Sequence, residues 1–354
     1  MNIYIKMALI TDNLDLCAQA IRDGKNVAFP TETVFGLGGN IYNEESIKNI
    51  FKVKERPYND PLIVHVDSKE KVLELINLNK VDINLFNKMA EMLWPGPLTI
   101  ILPKSDLVPD IVTSGLDEVG IRIPDNEQAL EFLKRANVPI AAPSANKFCH
   151  VSPTHEEHVY DDLSESDILI LKNSKEGEMI GIESTIIQPD FDEKKIYILR
   201  PGFITKNILE FFLETYEIDD YQVINRYEKI DTPGSGETHY AIDKTTFLVK
   251  NKDILEKLRN NKNITLIDFK KENYHLSDKF GCYHNLTEFS LISAMKNFYK
   301  ILREIETNST TILLIYFPKQ SNEFYDSLYN RIIKSCSGNI LDETRPELHR
   351  LFDL

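Results

Sequence analysis

At 354 residues, with 42% hydrophobic and 27% charged side chains, the chain has the composition of a folded protein with room for two or three domains. A formal charge of −14 excludes a general nucleic-acid coat, which needs surplus Lys and Arg, but leaves room for a local basic pocket. Four cysteines, Cys17, Cys149, Cys282 and Cys336, lack C-x-x-C spacing, which excludes zinc-ribbon and thioredoxin readings and fits a reducing, cytoplasmic compartment.

Lys6 interrupts the apolar run at the start of the chain, so no signal peptide is expected there, and no apolar stretch approaches the roughly 20 residues that span a bilayer. From residue 8 to about 205 short β-like runs alternate with helical ones, the pattern of an α/β domain. Val27–Phe29 reads as a strand that stops at Pro30. Asn43 caps a helix with Ile47, Ile50 and Phe51 on one face, closed by Pro57. Leu62–Val66 reads as a buried strand and Ser68 starts another helix. Further strands are expected at Leu98–Leu102, Val119–Ile123, Ile140–Ala142, Ser184–Gln188 and Ile196–Leu199. Past Pro201 and Gly202 comes a helix from Ile208 to Tyr216. Residues 217–245 have little periodicity and contain Pro233-Gly234-Ser235-Gly236, which reads as a linker. A smaller α/β domain follows, with strands at Thr246–Val249, Thr265–Asp268 and Thr311–Phe317 and a long helix at Leu291–Ile305. The expected domains are therefore 1–205, a linker or lid at 206–245, and 246–354.

No Walker or Rossmann phosphate loop is present. The chemistry-bearing residues instead crowd into dense segments at strand ends and turns, where open α/β folds hold ligands. These are Pro30-Thr31-Glu32-Thr33-Val34-Phe35-Gly36, Lys54-Glu55-Arg56-Pro57, Pro61-Leu62-Ile63-Val64-His65, Trp94-Pro95-Gly96-Pro97-Leu98-Thr99, Gly120-Ile121-Arg122, Pro143-Ser144-Ala145-Asn146, Ser152-Pro153-Thr154, Glu183-Ser184-Thr185 and Leu199-Arg200-Pro201-Gly202. Lys54 and Arg56 end a helix, Arg122 interrupts an apolar strand and Arg200 ends one. A buried Arg needs an anionic partner. Four such cations could clamp a polyphosphate and a carboxylate, with hydroxyls from Thr33, Ser144, Ser152 and Ser184. Taken singly, Lys54 and Arg56 need only complement a helix dipole, Arg122 need only meet an internal carboxylate, and His65 need only be a core histidine. His150, His155 and His158 lack the cysteine or further ligand that a zinc site requires, and Trp94 reads as core.

Together these segments resemble the YrdC/Sua5 family of threonylcarbamoyl-AMP synthases. The K-x-R motif is Lys54-Glu55-Arg56 and the S-x-N motif is Ser144-Ala145-Asn146, and the likeness continues thinly through His239-Tyr240 to Tyr329-Asn330-Arg331-Ile332-Ile333-Lys334. The resemblance implies the long two-domain form: a twisted, open, mixed sheet (YrdC-like) followed by a smaller Rossmann-like α/β domain. It implies nucleotidyl transfer from ATP to threonine and bicarbonate or CO2, with Mg2+ on the phosphates. The catalytic pair would be Lys54 and Arg56. Threonine would be held by Thr33, His65, Arg122 and Ser184. ATP would be held by Lys54, Arg56, Asp60, Ala142, Ser144, Asn146, Ser152 and Arg200, and His239 and Tyr240 would belong to a lid. The product would pass to a Kae1/TsaD-type transferase acting on tRNA. The family commonly has Asn where Asp60 stands before Pro61, and a carboxylate facing phosphates would repel them unless it turns away or works through Mg2+. The alternative is an RNA-binding protein of the same fold with weak RNA contact and no synthase activity.

Overall fold

The computed structural model describes residues 7–174, 179–226, 239–258 and 260–342. The chain forms two compact units: residues 1–148 with 152–235, and residues 149–151 with 236–354.

The first unit is built on one mixed sheet. Its strands are β1 (Leu9–Thr11), β2 (Asn26–Phe29), β3 (Gly36–Asn40), β4 (Ile63–His65), β5 (Leu98–Pro103), β6 (Glu118–Arg122), β7 (Ile140–Ala141), β8 (Ile168–Leu171), β9 (Thr185–Asp190), β10 (Lys195–Arg200) and β11 (Gln222–Asn225). They lie in the order β1-β8-β2-β3-β7-β4-β6-β5-β9-β10-β11. β4 and β6 run parallel with His65 beside Arg122, while β5 runs antiparallel to β6 and parallel to β9. The strands read from apolar runs fall within a residue or two of expectation. β3 does not read as a strand because three of its five residues are glycine. Close packing explains their use: a Cβ on Gly38 would sit 2.8 Å from Ile140 Cγ2, and one on Gly39 2.8 Å from the Asn26 amide.

Helices cover the sheet and end where their caps dictate. The Asn43 side chain accepts from the Ser46 N–H at 3.0 Å, starting the helix Glu44–Lys54. That helix stops at Glu55, whose φ of 57° is left-handed, and Arg56 N–H closes back on Phe51 O at 2.9 Å. Helices Leu14–Arg22 and Glu127–Ala136 bury Cys17, Ile21, Phe132 and Leu133 against Val27, Phe29 and Ile140. A larger apolar core includes Phe51, Val64, Phe86, Trp94, Ile100, Ile121 and Phe212. Trp94 is core, its indole N–H donating to Leu98 O at 2.7 Å.

One boundary differs from the sequence reading. Residues 206–226, assigned there to a linker or lid, belong to the first unit: the helix expected from Ile208 to Tyr216 runs Lys206–Thr215, and the edge strand β11, which was not expected, pairs in parallel with β10. β11 is four residues long with exposed polar residues at both ends, so it shows neither an apolar run nor clean alternation. Pro233 and Gly234 lie outside the described residues.

The second unit has an all-parallel sheet of β12 (Thr245–Val249), β13 (Asn261–Asp268), β14 (Phe280–Asn285), β15 (Ile312–Tyr316) and β16 (Ile340–Leu341), ordered β14-β13-β15-β12-β16. Its central strands are apolar runs, as burial on both faces requires. Helix Leu291–Glu306 buries Phe298, Tyr299 and Leu302 in this unit. Tyr240 is fully buried here too, packed on Tyr299 and under the Arg331 guanidinium, with His239 against its ring. No helix among the described residues is long and apolar enough to cross a membrane.

Candidate active site

Arg122 is the hub of the first group. As the last residue of β6 it is buried, yet its guanidinium is met from three sides. Nε donates to Gly96 O at 3.3 Å, Nη1 donates to Thr33 Oγ1 at 2.9 Å, and Nη2 lies 2.7 Å from Glu32 Oε1. Thr33 is placed by the turn leading out of β2. There Thr31 Oγ1 donates to Val34 O at 2.7 Å and accepts from the Thr33 N–H at 3.1 Å. His65 sits beside Arg122 in register, edge-on to Phe29. Burial, and then the Arg122 charge, push its pKa down to about 3, so the imidazole is neutral at any physiological pH. Its Nδ1 has no hydrogen-bond partner among the described residues.

Ser184 and Arg200 form a second group. Arg200, ending β10, donates from Nε to Ser184 O and from Nη2 to Ser184 Oγ, both at 3.0 Å. Ser184 Oγ is also 2.8 Å from Thr99 Oγ1. Backbone room matters here, because a Cβ on Gly202 would come within 2.5 Å of the Thr185 nitrogen. Ser152, fully buried, donates to Glu183 Oε1 at 2.6 Å.

The third group surrounds the end of helix Glu44–Lys54. Lys54 is fully buried and donates from Nζ to Ser144 O at 2.5 Å and also to Asn146 O. It therefore ties the Ser144-Ala145-Asn146 turn to the helix. Gly36 bridges Ser144 from the other side, and buried Ala142 is held by its N–H on Ile63 O. Arg56 donates to Asp60 O and Pro61 O at 3.3 and 3.1 Å, and its Nη2 pairs with Asp60 Oδ1 at 2.7 Å. Asp60 is thus turned onto Arg56.

The structure brings Thr33, His65 and Arg122 together, joins Ser184 to Arg200, and gathers Lys54, Arg56, Asp60, Ser144 and Asn146. Three residues absent from the sequence assignment join them: Glu32, Thr99 and Glu183. Each lies inside a segment singled out for its density, but only the fold shows which neighbour each one meets. His155 and His158 are engaged with Thr154, whose N–H donates to His158 Nδ1 at 3.3 Å.

The Sua5–YciO–YrdC profile, described as telomere recombination, matches residues 19–202, and that of the threonylcarbamoyl-AMP synthase C-terminal domain matches residues 204–337. The chain belongs to the Sua5/YrdC family. Within this family a threonylcarbamoyl-AMP synthase of Pyrococcus abyssi is 33% identical over 309 residues, spanning 84% of this chain and 87% of that protein. One from Bacillus subtilis is 40% identical over 225 residues, 63% of each chain. The crystal structure of P. abyssi Sua5 complexed with L-threonine superposes with a TM-score of 0.80 at 28% identity, covering 95% of this chain and 98% of that one. The mixed sheet followed by a parallel sheet is thus the long Sua5 architecture, as the sequence resemblance implied.

Proposed function

We propose that this chain is an L-threonylcarbamoyl-AMP synthase, forming threonylcarbamoyl-AMP and pyrophosphate from L-threonine, bicarbonate-derived CO2 and ATP. The observation that carries the reading is the pairing of a neutral, buried His65 with a buried Arg122 steered by Thr33 and Gly96, in the same unit as the Lys54 and Arg56 turn. A guanidinium so held offers a planar fork to a carboxylate, which suits an amino acid. Neutral His65 adds no charge, and can donate to or accept from a threonine hydroxyl. Ser184, shared between Thr99 and Arg200, would link the amino-acid side to the nucleotide side.

In this mechanism the threonine amine adds to CO2, losing a proton, and a carbamate oxygen then attacks the ATP α-phosphorus as pyrophosphate leaves. The protein's work is positioning and charge neutralisation, with no covalent nucleophile. Arg56 and Arg200 would neutralise phosphates. Lys54, Ala142, Ser144, Asn146 and Ser152 would shape the nucleotide wall. No group of three or more His, Cys, Asp or Glu side chains that could hold a metal occurs among the described residues. The donor set therefore fits Mg2+ carried on phosphate oxygens and water, as this ion often is, rather than a protein cage. So carried, Mg2+ would supply further neutralisation of the polyphosphate. The same reading places the protein in the cytoplasm, handing its product to a Kae1/TsaD-type transferase for tRNA threonylcarbamoyladenosine.

The test is pyrophosphate release by the full chain with ATP, Mg2+, bicarbonate and L-threonine, each omitted in turn. Release should require all of them and vanish in Arg122→Ala. Release independent of threonine would end the reading.

A further inference from the structure

Glu32 is a buried carboxylate that the threonine, ATP and Mg2+ assignments leave unused. Its side chain is 8% exposed. Its backbone is fixed on both sides, by the Thr31 hydroxyl turn and by the Ile180 N–H donating to Glu32 O at 2.7 Å. The side chain therefore starts from a fixed backbone and ends beside Arg122. Oε1 lies 2.7 Å from Arg122 Nη2, near enough for an ion pair but outside hydrogen-bond alignment, and Oε2 has no hydrogen-bond partner among the described residues. Such an oxygen is costly unless a donor meets it.

Holding the Arg122 rotamer does not explain Glu32, because Gly96 O and Thr33 Oγ1 already fix that guanidinium. Nor does it explain why Oε2 is left over. Charge counting gives a better account. An α-amino acid at neutral pH carries a carboxylate and an ammonium about 3 Å apart, set by its covalent geometry. The residues assigned to threonine (Thr33, His65, Arg122 and Ser184) include one cation and, with His65 neutral, no anion. An ammonium left without an anion in a buried pocket would be strongly disfavoured. Resting on the synthase reading, we propose that Glu32 receives the α-ammonium of the amino-acid substrate, so that Glu32 and Arg122 together recognise the whole zwitterion. The three N–H donors of an ammonium can serve both carboxylate oxygens, and the neutral pair accepts a neutral ligand without net change of buried charge. The pair then discriminates against 2-hydroxy acids, which bring a carboxylate but no cation.

The test is calorimetric binding, without ATP, of L-threonine and of its 2-hydroxy counterpart, 2,3-dihydroxybutanoate of matching configuration. The proteins are the full chain and its Glu32→Gln variant, with Trp94 fluorescence reporting folding. Glu32→Gln should weaken threonine by on the order of 10- to 100-fold, the range of one charged hydrogen bond, and leave the hydroxy acid within about threefold. Equal weakening of both ligands would show that Glu32 only props Arg122, and unchanged threonine binding would also overturn the proposal. Glu32→Asp keeps the charge, and should keep a preference for threonine over the hydroxy acid of at least about tenfold even where the Gln variant folds poorly. Loss of that preference in a folded Asp variant counts against the role. If the unaltered protein binds no threonine, the synthase reading itself fails, an outcome distinct from the three above.

Discussion

Replacing Lys54 with Met tests whether that cation is chiefly an anchor or a phosphate ligand. Its ammonium is fully buried and donates to two backbone carbonyls of the Ser144–Asn146 turn. A hydrogen bond from a charged donor contributes about 1.5–3 kcal/mol, so losing two amounts to about 3–6 kcal/mol. Relief of the ammonium's desolvation offsets part of this, and a net loss of about 3 kcal/mol is expected. For a unit of this size that lowers the melting temperature by about 6–12 °C. Trp94, the sole tryptophan, is buried in the first unit, so its fluorescence reads that unit's unfolding and not the other's. ATP affinity should fall in parallel, because the turn that shapes the nucleotide wall loosens. A Lys54→Met protein melting within about 2 °C of the parent while losing ATP binding would refute the anchor role.

Two other perturbations address charge at the same site. Asp60→Asn removes the carboxylate paired with Arg56, so that a phosphate no longer competes with it for that guanidinium. The KM for ATP should drop by up to about fivefold, the ~1 kcal/mol scale of a partly exposed ion pair, and a rise would show the carboxylate working for the nucleotide instead. For His65, the folded-state pKa of about 3 lies below the ordinary 6.5, so the unfolded chain binds the extra proton between them. Stability is then complete above the unfolded value and is lost as pH falls. About 2 kcal/mol should go between pH 7.5 and pH 5. Denaturant titrations read by Trp94 should show this slope, and His65→Gln should flatten it; an equal slope in the variant would place the titration elsewhere.

What could be read from the sequence depended on how local the determining physics was. β4, β6 and β10 are short apolar runs ending in His65, Arg122 and Arg200, and their buried character is visible in any window around them. β3 is hidden because its glycines are required by close neighbours on other elements: Ile140, about a hundred residues away in the chain, and Asn26 on the paired strand β2. Residues 149–151 were hidden as members of the second unit for a similar reason. His150 pairs with Glu306 at 2.7 Å and bridges Ala241, contacts that no three-residue window can announce.

The site shows the same division. The cations were legible as cations, since an Arg inside an apolar strand demands an anion. Which anion was not legible, because Glu32 stands ninety residues from Arg122, inside a segment whose threonines look equally important. The fold shows that the buried cations have internal partners: Arg122 with Glu32, Arg56 with Asp60, and Lys54 with two carbonyls. A carboxylate or phosphate entering this site exchanges with those partners instead of meeting bare charges. Binding therefore depends on the difference between two ion pairings, which is far smaller than either alone. That makes Glu32 and Asp60 as influential as the cations they face. It also accounts for a cation-rich site inside a chain whose formal net charge is −14.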